Sequence, residues 1–210
     1  MKVALSRVHY PVTTLGPGRR LGIWFQGCSI RCPGCISADT WGSKKPDVEV
    51  GALVIGIRPW LDQADGITIT GGEPFDQPAA LKELLEALRR ASAADILVYS
   101  GYAFEELQDC AAIKSGLVDA LITDPFLLEA PQTKVLRGSD NQRLHCLTAK
   151  GSQAFRSFDR PALDHERKLD VMFDREGVVW LAGIPRRGDM KRLHQLLLAA
   201  GHQAQTTEAR

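Results

Sequence analysis

The sequence has 210 residues, of which 44% are hydrophobic and 24% are charged, and its formal net charge at pH 7 is +1. This length and composition predict one main globular core, and a net charge so close to zero argues against binding to nucleic acid or to an anionic membrane. No apolar run approaches the roughly 20 residues that a membrane-spanning helix needs, and we recognise no secretory signal, so we expect a cytoplasmic protein.

Strands and helices are predicted to alternate through the first two thirds of the chain. The first predicted elements are a strand at 21–26, a cysteine-containing loop to about Trp41, and a helix at 50–61 that has Asp47 as its N-cap and a kink or end at Pro59. They are followed by a strand at 67–70, a helix beginning near Pro78, a strand at 96–99, a helix through Phe104 and Leu107, and a strand at 118–122. Alternation of this kind predicts an α/β fold with a parallel sheet and right-handed crossovers.

The pattern changes at about Leu147. A polar, arginine-containing stretch is followed by a predicted hairpin, with strands at 169–173 and 178–181 and a turn at Glu176-Gly177. A helix is predicted from Asp189 to about Ala200, capped by Gly201, and we expect the last residues, 206–210, to fray. We therefore expect a core at 1–146 and an appendage at 147–210 that packs on it.

Four unusual sequences follow the four core strands, and the carboxyl ends of parallel strands share one edge of a sheet. They are the cysteine loop, Gly71-Gly72-Glu73-Pro74, Ser100-Gly101-Tyr102 and Thr123-Asp124-Pro125. We expect ligands to bind at this rim.

Three of the five cysteines, Cys28, Cys32 and Cys35, lie on the first of these loops, whereas Cys110 and Cys146 stand alone. Three thiolates suit either zinc or an iron–sulfur cluster, and they leave one coordination position for an exogenous group. A structural zinc site with Cys110 or Cys146 as its fourth ligand remains an alternative. Otherwise these two cysteines are interpreted as buried small hydrophobic residues.

The cysteine motif, followed by Gly71-Gly72-Glu73-Pro74 at the next strand end, resembles the radical S-adenosylmethionine (SAM) enzymes. The closer similarity is to the activating component of anaerobic ribonucleotide reductase and its single-cluster relatives. The similarity covers roughly the first two thirds of the chain, and its motifs occur in the order expected for the family. The further matching segments are Gly16-Pro17-Gly18-Arg19-Arg20, Asp39-Thr40-Trp41, Tyr99-Ser100-Gly101-Tyr102 and the eight residues 136–143.

The resemblance implies a partial (β/α) barrel whose cysteines hold three irons of a [4Fe–4S] cluster, with SAM on the fourth iron. One electron from the cluster would cleave SAM to methionine and a 5′-deoxyadenosyl radical that abstracts a hydrogen atom. It also implies a glycyl-radical enzyme as partner and a low-potential electron donor such as a flavodoxin or ferredoxin.

The same resemblance assigns cofactor contacts to a set of rim residues, with Glu73 on the SAM ammonium group and Ser100 near the methionine moiety. The set is Gly71, Gly72, Glu73, Pro74, Ser100, Arg137 and Asn141. Gln142, the next residue after Asn141, also matches the family pattern. Each has a structural alternative: a tight turn for the glycine motif, a helix cap for Ser100, and a solvated turn for the last three.

At two positions, Leu15 and Ser37, the sequence departs from the family pattern. The resemblance therefore does not identify the substrate. Met190 and His194 lie on an amphipathic helix and are interpreted as packing or surface residues. Three functions therefore compete: an activase that takes hydrogen from a glycine of a partner enzyme, a radical SAM enzyme that acts alone on a small molecule or peptide, and a zinc-stabilised interaction module.

Overall fold

The computed structural model describes residues 1–43, 45–173 and 178–203. The predicted turn at Glu176-Gly177 and the predicted frayed end at 206–210 lie outside the described residues. In this part of the chain no helix is both long and apolar enough to cross a bilayer.

A six-stranded sheet forms the centre of the fold. Its strands are β2 (Leu5–Val12), β3 (Arg20–Phe25), β5 (Gly66–Gly71), β6 (Asp95–Tyr99), β7 (Ala120–Thr123) and β8 (Arg143–Cys146), and β1 (Lys2–Val3) with β4 (Val48–Glu49) makes a separate two-stranded pair. The order is β2-β3-β5-β6-β7-β8. The four central strands, β3, β5, β6 and β7, are parallel to one another. The edge strands β2 and β8 run antiparallel.

Helices connect the parallel strands, and one further helix follows β8. They are α1 (Val50–Gly56), α2 (Arg58–Leu61), α3 (Pro78–Ala91), α4 (Phe104–Leu107), α5 (Ala111–Lys114) and α6 (Ala149–Phe155). The chain continues into the antiparallel hairpin of β9 (Leu169–Phe173) and β10 (Val179–Gly183), and then into α7 (Asp189–Ala199).

The two faces of the sheet bury different clusters because successive side chains of a strand point to opposite sides. On one face Leu21, Ile23 and Phe25 of β3 pack with α1, α3 and α5 in the main hydrophobic core. On the other face Trp24 packs with Ala182 of the hairpin. Further along that second face, Leu97, Ala120 and Ile122 pack against Phe155 of α6. The hairpin and α6 therefore cover the sheet face opposite the main helices.

A fully buried cation lies at the amino ends of the parallel strands, on the second face. Arg20 is 0% exposed. Its guanidinium donates to Thr68 Oγ1 at 2.7 Å, to the carbonyl of Ile67 at 2.8 Å and to Asp95 Oδ1 at 2.6 Å, and it lies 5.3 Å from the ring centroid of Phe155. These contacts hold the start of β3 to β5, β6 and α6.

The parallel core agrees with the sequence prediction, and the strands of the hairpin and α7 fall within two residues of their predicted bounds. The predicted barrel is not confirmed: the sheet is mostly parallel, but no pairing among the described residues joins its edges β2 and β8.

Several local predictions were incomplete or wrong. The strands β2 and β8 and the helix α6 were missed. Asp47 does not cap a helix, because β4 intervenes and Glu49 is the N-cap of α1. Pro59 does break the predicted helix, since α1 ends at Gly56 and Pro59 lies in the first turn of α2.

Candidate active site

A cavity of about 220 Å³ opens at the carboxyl ends of the parallel strands. Its wall combines the cysteine loop, the ends of β5, β6 and β7, and a segment that includes the end of β10 and the residues after it. The sequence-predicted residues that line it are Cys28, Cys32, Cys35, Gly71, Gly72, Glu73, Ser100 and Gln142. The expectation that the rim sequences meet at one site therefore agrees with this geometry.

One backbone hydrogen bond joins the two ends of the cysteine loop, and another forms a turn inside it. Gly27 N donates to the carbonyl of Thr40 at 2.7 Å, and Cys35 N donates to the carbonyl of Cys32 at 3.1 Å. Near the start of the loop, the carboxylate of Asp76 accepts from Ser29 N at 2.7 Å and from Ser29 Oγ at 2.9 Å. The loop is thus fixed to the turn that follows Glu73.

The three thiols are free and half-buried, and they face the same cavity. Burial raises the pKa of the Cys35 thiol to about 11 and also raises the pKa of Cys32. Since thiolates are the metal ligands, loading of this loop must release protons.

The donor set fits an iron–sulfur cluster. Within the described ranges, no three His, Cys, Asp or Glu side chains are gathered around a point that would hold one metal ion. A cluster does not require such a point, because each thiolate binds a different iron. Cys110 and Cys146 pack against the hydrophobic clusters on the two sheet faces and do not line the cavity.

Glu73 is the buried carboxylate of the site, at 2% exposure. Its Oε1 accepts from Phe75 N at 3.0 Å and from Ser100 Oγ at 2.9 Å, and its Oε2 accepts from Gly101 N at 2.8 Å. Burial raises the pKa of Glu73 to about 7, although these three hydrogen bonds oppose the shift. With a pKa of about 7 the carboxyl group is partly protonated at neutral pH, and a cation bound beside it would favour the ionised form.

The role of Ser100 differs from its predicted structural alternative. The helix α4 begins at Phe104 with Ala103 at its N-cap, so Ser100 does not cap it. Its hydroxyl instead donates to Glu73 and accepts from Tyr102 N at 3.1 Å. Ser100 thus joins the end of β6 to the end of β5.

The glycine pair is required by the packing of two strand ends. Gly71 has a φ of +105°, and a Cβ at Gly72 would lie 2.0 Å from the carbonyl oxygen of Gly27. Gly72 N donates to the carbonyl of Phe25 at 2.9 Å, and Glu73 N donates to the carbonyl of Gly27 at 2.8 Å. The pair thus brings the cysteine loop and Glu73 together, a role that the sequence analysis did not foresee.

Three of the predicted contact residues lie outside the cavity lining. Pro74 is buried in the turn after Glu73. Arg137, at 1% exposure, donates to the carbonyl of Phe158 at 3.0 Å and pairs with Asp159 at 2.9 Å, whereas Asn141 Nδ2 donates to the carbonyl of Pro125 at 2.8 Å. The structure gives these residues packing roles, and their contact with a cofactor stays a prediction.

Other cavity residues were missed by the sequence analysis. They include Arg7 on β2, Trp24 on β3, Phe126, Leu128, Gln132, and the seven residues 181–187. Arg7 was missed because β2 was not predicted. The segment 181–187, at and after the end of β10, carries no motif, so the sequence offered no signal that it reaches the cavity.

Comparison with known proteins places the chain in a family. The model of the 4Fe-4S single cluster domain matches residues 14–145. The anaerobic ribonucleoside-triphosphate reductase-activating protein of Enterobacteria phage T4 is 31% identical over 135 residues, which cover 61% of this chain and 85% of that protein.

Two further relatives carry related names. The anaerobic ribonucleoside-triphosphate reductase-activating protein of Escherichia coli K12 is 29% identical over 149 residues, covering 66% of this chain and 96% of that protein. The pyruvate formate-lyase-activating enzyme of Clostridium pasteurianum is 28% identical over 148 residues, covering 68% of this chain and 56% of that enzyme. Together with the cysteine and glycine motifs at one cavity, these matches show that the chain belongs to the 4Fe-4S single cluster domain family of activating radical SAM enzymes, which use a [4Fe–4S] cluster and SAM.

Proposed function

We propose that this chain activates a glycyl-radical enzyme of the anaerobic ribonucleotide reductase type by abstracting a hydrogen atom from a glycine of that partner. The observation that carries this proposal is the convergence of Cys28, Cys32, Cys35 and Glu73 on one cavity, within the segment that the family model matches. The names of the relatives support the choice of partner class.

In this proposal residues 1–146 form the radical SAM core and residues 147–210 an appendage to it. Cys28, Cys32 and Cys35 hold the cluster through their thiolates. Glu73 accepts hydrogen bonds from the ammonium group of SAM, and Ser100 keeps the carboxylate of Glu73 oriented through its 2.9 Å hydrogen bond. Gly71 and Gly72 set the distance between the cluster loop and Glu73.

When bound, the reduced cluster and SAM supply reductive cleavage to methionine and a 5′-deoxyadenosyl radical. The protein's own residues bind and orient these groups and exclude water. The apolar side chains of Leu15, Trp24 and Phe126 line the cavity, and a dry wall protects a reactive group from side reactions. The electron would come from a low-potential donor such as a flavodoxin or ferredoxin.

A second candidate is a radical SAM enzyme that acts alone on a small molecule or peptide. One observation favours it: residues 181–187, outside the family model, line the same cavity and so cover part of it from within. A self-covered cavity has less need of a large partner to close it.

The deciding experiment is anaerobic reconstitution of the cluster, followed by SAM, a strong reductant and a candidate glycyl-radical enzyme. We expect 5′-deoxyadenosine, methionine and the electron paramagnetic resonance doublet of a glycyl radical on the partner. 5′-Deoxyadenosine without any glycyl radical, together with deuterium transfer from a small labelled substrate, would favour the second candidate. A loaded cluster that yields no 5′-deoxyadenosine would contradict both.

A further inference from the structure

Seven consecutive residues from the C-terminal third of the chain, 181–187, line the cavity that also contains Cys28, Cys32, Cys35 and Glu73. We call this segment the strap. The family model ends at residue 145, so the strap is outside the region that the family shares. It begins in β10 and ends just before α7.

The first end of the strap is held on the β2 side of the cavity. Ala182 is buried with Trp24, and the guanidinium carbon of Arg7 lies 5.2 Å from the ring centroid of Trp24 and 4.8 Å from that of Trp180. Arg7 also pairs with Asp39 of the cysteine loop. A guanidinium between two indole rings favours a fixed geometry through cation–π attraction. Because Trp180 directly precedes the strap, this contact links the start of the strap to the cysteine loop.

The second end is held on the opposite side, by the loop that follows β7. Gln132 Nε2 donates to the carbonyl of Pro185 at 2.9 Å, and Arg187 N donates to Gln132 Oε1 at 3.3 Å. The guanidinium of Arg187 donates to the carbonyl of Leu127 at 3.2 Å and also to the carbonyl of Ala130. The strap therefore crosses the cavity between two anchored ends.

We infer that the strap is a wall of the cofactor site supplied by this chain itself, and that Gln132 and Arg187 are positioning residues that keep it closed beside the cluster thiols. The inference deepens the proposed function, on which it rests only for the identity of the bound cofactor. In consequence, part of the shielding of the reactive centre comes from within the chain.

The test uses the cluster-free protein and measures alkylation of each cysteine by iodoacetamide at one fixed pH, quantified by peptide mass spectrometry. In the double variant Gln132→Ala/Arg187→Ala we expect Cys32 and Cys35 to react about tenfold faster, because the loss of several hydrogen bonds raises the population of the open strap. Cys110 and Cys146, which lie outside the cavity, are internal controls and should keep their rates.

Two further variants sharpen this comparison. Arg192→Ala removes an exposed arginine of α7 in the same third of the chain and should change no rate. Gln132→Ala alone is the milder change and should raise the rates of Cys32 and Cys35 by a smaller factor. Unchanged rates at Cys32 and Cys35 in both Gln132 variants, or an equal rise at all five cysteines, would overturn the inference.

A second measurement connects the strap to the cofactor. After anaerobic reconstitution, the double variant should bind SAM about tenfold more weakly than the Arg192→Ala control, as measured by equilibrium dialysis. Weaker binding supports the inference, and equal affinity overturns the role of the strap as a cofactor wall. If the wild-type protein fails to cleave SAM, the proposed function fails, whereas the alkylation rates still decide whether the strap covers the thiols.

Discussion

Glu73 combines deep burial with a carboxylate that the proposed function needs in its ionised form. Because burial raises its pKa to about 7, the carboxyl group is increasingly protonated and neutral below that pH. A neutral group loses its charge-assisted attraction for an ammonium ion, so SAM affinity should fall as the pH is lowered from 8 to 6. The fall should approach tenfold per pH unit below the pKa, measured by equilibrium dialysis of the reconstituted protein.

Removal of the carboxylate tests the same residue independently. Glu73→Ala should weaken SAM binding by about 10- to 100-fold, which corresponds to the loss of roughly 1.5 to 3 kcal/mol from one charge-assisted contact. The residual affinity of this variant for SAM should not change as the pH is lowered from 8 to 6. Glu129→Ala, at an exposed position beyond the end of β7, is the matched control and should behave as wild type. Wild-type affinity in Glu73→Ala would remove this residue from the site.

Arg20 illustrates a residue whose role is structural although it belongs to a recognised family motif. Arg20→Met should lower the free energy of unfolding by about 3 to 5 kcal/mol, because it leaves Asp95 and Thr68 without their buried partner. Urea denaturation of the cluster-free protein, followed by tryptophan fluorescence, measures this loss. The neighbouring exposed Arg19 provides the control, and Arg19→Met should cost less than about 1 kcal/mol. Equal losses in the two variants would argue against the buried network.

Among the elements, the junction of β3 and β5 depends on a glycine that approaches the opposite backbone. In Gly72→Ala the new methyl group would meet the carbonyl oxygen of Gly27, so the strand ends must separate. We expect a loss of about 1 to 3 kcal/mol in unfolding free energy and poorer incorporation of iron into the cysteine loop. Gly51→Ala in α1 meets no atom within 4 Å and should be neutral or slightly stabilising. Full iron loading of Gly72→Ala would contradict this account.

The elements also separate what the sequence could predict from what it could not. The strands β3, β5, β6 and β7 were predictable, because short runs of apolar and β-branched residues are typical of buried strands. The edge strands were not: β2 contains Ser6, Arg7, His9 and Pro11, and its polar residues conceal the strand pattern. For the same reason Arg7, which depends on β2 for its position, could not be assigned to the cavity.

The sequence could bring together the residues whose positions follow directly from strand ends, and their roles as cluster and cofactor ligands stay a prediction. The three cysteines and Glu73 could be placed at one rim because parallel strands end on the same edge of the sheet. Arg137 was assigned by motif alone, and a motif does not state which way a side chain points. The structure directs it toward Phe158 and Asp159, a contact distant in sequence that local patterns cannot reveal.

For the whole molecule, cluster assembly should act as a stabilising ligand. A group that binds only the folded chain shifts the unfolding equilibrium, so reconstitution should raise the unfolding temperature, as measured by calorimetry under anaerobic conditions. Cys32→Ala should abolish both the rise and the iron and sulfide content. Cys146→Ala should retain the cluster-dependent rise, and a loss as complete as in Cys32→Ala would show that the three-cysteine assignment is wrong.

The depth of Glu73 has a kinetic consequence. This carboxylate is almost fully buried at the junction of β5 and β6, whereas Leu128 and Arg187 of the cavity lining are exposed. A cofactor whose ammonium group reaches Glu73 must therefore enter before any macromolecule covers the mouth. Binding should follow a compulsory order in which SAM adds first and its cleavage products leave only after the partner has dissociated. Excess partner should then slow the exchange of bound SAM with labelled SAM in solution.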